Sequence, residues 1–94
     1  MTTNGSGTVT PMQALDHVGL TGTGTADSLT VTLDRGQELT LTRDDVKVWP
    51  DGQPLTSSVV LVGSVPFELR YAVDLMQRAR QYFALVQHGQ AHKL

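Results

Sequence analysis

Residues 28–42 read Ser-Leu-Thr-Val-Thr-Leu-Asp-Arg-Gly-Gln-Glu-Leu-Thr-Leu-Thr, and this stretch decides the fold. Leu29, Val31 and Leu33 alternate with Ser28, Thr30 and Thr32, and Leu39 and Leu41 alternate with Thr40 and Thr42. A period of two is the pattern of a half-buried strand, so two strands are predicted here, near 28–34 and 38–42. For both leucine sets to share one face, the connection must hold an odd number of residues. A two-residue Arg35-Gly36 turn would slip the register and send one set into water. Leu33 is therefore expected opposite Leu39, with the threonines on the outer face.

Working outward, the pattern predicts two further strands. One, near 46–49, ends at Pro50-Asp51-Gly52, a strong turn signal. The other, near 58–62, lacks polar alternation and reads as a central strand covered on both faces. Trp49 has the opposite parity to Val46 and Val48, so it is expected either under a helix or on the outer face as an interface anchor. Upstream, Thr10-Pro11-Met12-Gln13 combines a threonine cap, a proline at the first helical position and a glutamine three residues after the cap. Those residues form a capping box and predict a helix over 11–18, ended by Gly19. Residues 20–27, rich in glycine and threonine, read as a loop.

Downstream, residues 66–88 contain no glycine and only the initial Pro66, and Gly89 follows. They predict one long helix, capped by Ser64 or Val65, with Glu68 near its positive end. All twelve threonines fall at or before Thr56. The segregation separates a β-rich body from a terminal helix. The expected fold is α+β: a small antiparallel meander of about four strands, a short N-terminal helix, and a long C-terminal helix packed on the sheet. One domain spans 10–89, with mobile tails at 1–9 and 90–94.

At 100° per residue, the apolar side chains of that helix cover roughly 200° of its circumference, about twice what one sheet requires. The excess has two explanations. A second copy of the chain covers it, or the N-terminal helix and the 20–27 loop wrap the remaining side. The first gives the expected function: a non-enzymatic protein-interaction module, of adaptor or inhibitor type, that self-associates through its C-terminal helix. A dimer is favoured, a larger protein partner is compatible, and the contact residues are Tyr71, Leu75, Arg78, Tyr82 and Leu85. Charge is also uneven. Residues 1–66 carry three basic and seven acidic side chains, whereas residues 67–94 carry four basic and two acidic. An acidic body and a basic helix favour pairing between copies at contact range.

Other chemistries find little footing. The chain has no cysteine, so disulfides and thiolate metal sites are absent and a reducing, cytoplasmic setting is expected. Its longest apolar run, Val59-Val60-Leu61-Val62, is far below the roughly 18 residues of a membrane helix. Gly22-Thr23-Gly24 begins like a dinucleotide fingerprint, but Asp27 occupies the third glycine position. His88 and His92 have i,i+4 spacing with Gly89 between them, which breaks the helix a zinc pair would need. Arg70, Arg78 and Arg80 spread around the helix, with no stripe for phosphates. No cofactor, metal, nucleic acid or membrane is expected. The competing expectation is a small-ligand or minor enzymatic pocket between sheet and helix, using Asp44, Asp45, Tyr71 or His17.

Overall fold

The computed structural model describes residues 9–53 and 55–88. The tails at 1–8 and 90–94, with Gly89 and His92, lie outside these residues. Val9, expected in the N-terminal tail, is half-buried against the core.

Helix α1, Pro11–Val18, forms as its sequence dictates. The Thr10 hydroxyl accepts from the Gln13 amide at 3.1 Å, and the Gln13 side chain accepts from the Thr10 amide at 3.0 Å. Gly19 ends the helix at φ 76°, the left-handed conformation that glycine adopts without a Cβ penalty. Ala14, Leu15 and Val18 face inward.

Strands β1 (Gly22–Gly24), β2 (Ser28–Thr32) and β3 (Glu38–Thr42) form an antiparallel sheet in that order. Leu29 stands opposite Leu41 and Val31 opposite Leu39, all four buried. On the other face, the Thr30 and Thr40 hydroxyls hydrogen-bond at 3.0 Å. The expected faces are therefore right, but the register sits two residues from the expected one. Leu33 bonds Gln37 across a short 3₁₀ turn at Asp34–Gly36, and Thr32 faces Glu38. A shift of two preserves parity, so no side chain changes face. Strand β1 replaces the expected loop. It has no apolar side chain to announce it, and its pairing with β2 is closed by a turn in which the Thr25 hydroxyl accepts from the Asp27 and Ser28 amides.

The expected strand near 46–49 is a helix, α2, Arg43–Val48. Its apolar residues alternate as in a strand, but Thr42 and Asp45 form a second capping box, each side chain accepting from the other's amide at 3.1 Å. Asp44 and Asp45 lie in the first turn, where carboxylates are favoured. Burial confirms the helical geometry: Val46 is buried and Val48 exposed. Thr42→Ala is expected to cost about 1 kcal/mol in urea unfolding, the usual worth of an N-cap. Val48→Ala, at an exposed site, should fall within about 0.5 kcal/mol of zero.

Strands β4 (Val59–Val62) and β5 (Val65–Glu68) form a separate antiparallel hairpin closed by Gly63-Ser64. Gly63, at φ 62°, supplies the positive φ that two-residue hairpin turns require. Two expectations fail here. β4 is covered on one face only, with Val60 and Val62 inward and Val59 and Leu61 outward. Pro66 lies in a strand, and the long helix α3 begins later, at Leu69, and runs to His88. The five strands thus form two sheets.

At 20 residues α3 is about 30 Å long. α1, α2, β4 and β5 all pack on it, and one contiguous core joins its inner side to Leu29, Val31, Leu39 and Leu41. The α+β class, with a short N-terminal helix and a long C-terminal helix packed on the sheet, is the fold observed. No helix among the described residues is long and apolar enough to cross a membrane.

Candidate functional site

The width of the apolar arc on α3 is accounted for inside the chain, by the second of the two explanations. Leu75, Tyr82 and Leu85, expected at an interface, are buried in the core. Tyr82 is fully inaccessible, and its hydroxyl donates to the Thr25 carbonyl at 2.7 Å. Burial pushes its phenol above the ordinary value of 10. Arg78, expected to reach a neighbouring molecule, donates to Asp74 at 2.9 Å and to the Val18 carbonyl at the end of α1. A guanidinium there satisfies an unpaired helix carbonyl and meets the negative end of the dipole. Of the expected contact residues only Tyr71 is strongly exposed.

Tyr71 belongs to a surface that sequence reasoning did not assemble. On the hairpin, Val59 faces Glu68 and Leu61 faces Pro66, all on the outer side. Arg70 continues that face: its Nε donates to Glu68 at 3.2 Å, and its guanidinium lies 5.0 Å from the centre of the Tyr71 ring. Val59 and Leu61 are 50% and 48% exposed, and Tyr71 is 56% exposed. Leu61, Val59, Glu68, Arg70 and Tyr71 therefore form one continuous apolar and aromatic face with a single ion pair within it. The signal that would have located it is the Gly63-Ser64 turn, which pairs two apolar tetrapeptides and gives each an outward side.

The edges of this hairpin are partly occupied by side chains. Trp49 sits beside β4, half-buried against the core, and its indole N–H donates to the Leu61 carbonyl at 2.9 Å. Gln53 accepts from the Leu61 amide at 3.1 Å. Together they occupy the amide and carbonyl of Leu61, which point away from β5. Between the two strands, the Leu69 amide bonds the Ser58 carbonyl, which fixes the hydrogen-bonded pairs at alternate positions and leaves Leu61 and Pro66 in a non-bonded pair. Pro66 lacks an N–H at a place where none is needed for β4 and none is offered to another strand.

The residues of the competing pocket are not brought together. His17 ends α1, Asp44 and Asp45 open α2, and Tyr71 opens α3. Asp45 is committed to its cap. Among the described residues no three His, Asp or Glu side chains converge. Arg70, Arg78 and Arg80 bind Glu68, Val18 and Trp49 respectively, three different places. A cavity does exist, of about 340 Å³, but between α2 and α3, and it contains none of the four expected residues. No family model, curated protein or solved structure matches the chain.

Proposed function

We propose that the chain is a non-enzymatic protein-interaction module that pairs with a second copy of itself through the outer face of β4–β5 and the first turn of α3. The observation that carries the reading is the exposure of Val59, Leu61 and Tyr71 on one continuous face. Tyrosine and arginine are the side chains most enriched at energetic centres of interfaces. The face is also self-complementary. Glu68 and Arg70 lie side by side, so across a twofold axis each meets its opposite, as an isologous contact demands. Side chains already hold the outward amide and carbonyl of Leu61 and Pro66 offers no N–H, which favours face-to-face contact over strand addition. A cytoplasmic setting suits a chain with no disulfide to lose.

Few residues make the face, well short of the roughly 20–30 per side of a standard interface, so a weak, concentration-dependent dimer is expected. Sedimentation or light scattering across a hundredfold range of concentration tests it. Leu61→Glu should give a monomer with an unchanged thermal midpoint, because the side chain is outside the core. A wild-type chain that stays monomeric at millimolar concentration overturns self-association, and a larger protein captured through the same face would then be its occupant.

A further inference from the structure

Helices α2 and α3 run antiparallel where they meet. The start of α2 is tied to Asp27, whose neighbour Ala26 accepts from Gln87 late in α3, while the residue after α2, Trp49, accepts from Arg80. Between them lies the open cavity of about 340 Å³, near the lower end of the range for small-molecule sites. Each helix turns one stripe toward it. α2 contributes Arg43, Val46 and Lys47, at i, i+3 and i+4, and α3 contributes Arg80, Phe83, Ala84 and Gln87, at i, i+3, i+4 and i+7. Val46 and Phe83 are buried and form an apolar floor. The charged side chains of the rim are all cationic, and no carboxylate lines the cavity.

That rim gathers three cations that have no close ion pair among the described residues. Arg70 and Arg78 hold carboxylates at 3.2 and 2.9 Å. Arg43 has Asp27 only at 3.8 Å, with both side chains largely in solvent. Lys47 and Arg80 have no ion pair among the described residues. In a chain of net charge −2, three such cations around one apolar floor concentrate positive potential where there is also a surface for hydrocarbon.

We infer that this groove binds a small organic anion: an apolar body lying on Val46, Phe83 and Ala84, with a single oxyanion group held by Lys47, Arg80 or Arg43. The groove spans about two turns of α3, roughly 10 Å, which suits a small molecule and is too short for a nucleic-acid strand. The site is independent of the self-pairing face, since it shares no residue with it.

Decanoate, with decanol as its neutral counterpart, is the probe. Calorimetry at low salt and amide chemical-shift mapping on the full chain are the readouts. Saturable one-to-one binding of decanoate is expected, with shifts centred on Lys47, Arg80, Ala84 and Gln87. Decanol should bind at least tenfold more weakly. Lys47→Glu, at an exposed site, should weaken decanoate at least tenfold, and Ala84→Trp should fill the groove and abolish binding while the rest of the spectrum is retained. Leu61→Glu should leave decanoate binding unchanged, which separates this inference from the dimer. Equal affinity for decanol, no saturation, or shifts centred on Val59 and Leu61 would each overturn it.

Discussion

Tyr82→Asp is expected to unfold the domain. Tyr82 is wholly buried, packs edge-to-face on Phe83 with ring centres 5.0 Å apart, and spends its hydroxyl on the Thr25 carbonyl. The substitution removes the ring, leaves the Thr25 carbonyl without its donor, and puts a carboxylate into a core in which no polar or charged residue is buried. A cavity of this size alone costs about 3–5 kcal/mol, and an unpaired buried charge adds several more. The total matches or exceeds the roughly 5–15 kcal/mol that a domain of this kind has to lose. Circular dichroism at 20 °C should show loss of the folded signal, and a folded monomer would contradict the burial described above. The milder Tyr82→Phe should cost about 1 kcal/mol, the worth of the hydrogen bond. It should also change the alkaline limb of stability. Burial raises the Tyr82 phenol in the folded state, so folding favours the neutral form. That contribution is complete below the unfolded value near 10 and is lost as pH climbs towards the raised folded value. Urea midpoints between pH 9 and 11 should therefore fall less steeply in Tyr82→Phe than in the unmutated chain.

Gly24→Val is expected to be the next most damaging change, for a reason found on the other side of the same contact. A Cβ at Gly24 would stand 2.1 Å from the Tyr82 hydroxyl oxygen and 2.7 Å from the carbon that carries it. The ring cannot retreat, because the core behind it is close-packed. The strand must therefore move off its partner or the tyrosine must leave its site, at about 2–4 kcal/mol. The smaller Gly24→Ala carries the decisive control. Placed in a Tyr82→Phe background, where the clashing oxygen is gone, it should cost at least about 1 kcal/mol less than alone. Additive costs would mean that the ring carbon, 2.7 Å from the added Cβ and still present in phenylalanine, sets the clash and the hydroxyl does not.

Gly24 also illustrates what the sequence leaves illegible. Gly22-Thr23-Gly24 is a short glycine motif with many readings. Its actual use, admitting a side chain 58 positions later, involves a partner that local pattern does not reveal. By contrast α1 was legible to the residue, since capping chemistry is local: Thr10, Pro11, Gln13 and Gly19 each act on backbone groups within a few positions. The β2–β3 pair was legible in its faces, which depend on parity, and not in its register, which depends on how the Asp34–Gly36 turn closes. Helix α2 was misread because Val46, Lys47 and Val48 fit a strand. The Thr42–Asp45 box that overrides them is the same device as in α1, with aspartate in place of glutamine. The candidate site was the least legible. The wheel of α3 measured its apolar width correctly but could not say which elements cover it. Three of five expected contact residues, Leu75, Tyr82 and Leu85, are core for that reason. The surface actually left open depends on a hairpin that was read as a single central strand and the first turn of a helix.

The position of α3 at the end of the described chain has a bearing on how the protein comes into being. α1, α2, β4 and β5 all rest on it, so a growing polypeptide that has reached Glu68 lacks the element on which the others pack. At about 5–20 residues per second, adding the 20 residues of α3 takes on the order of one to four seconds. A hairpin that closes before α3 is in place has nowhere to bury Val60 and Val62, a state in which unpaired strands recruit neighbours. Trp49 and Gln53 lie only 12 and 8 positions from Leu61, close enough to occupy its amide and carbonyl as soon as the hairpin closes. Pro66 needs no partner at all, because its ring withholds the N–H in every conformation. The protection that Trp49, Gln53 and Pro66 give the hairpin is therefore local in sequence and does not wait for the core.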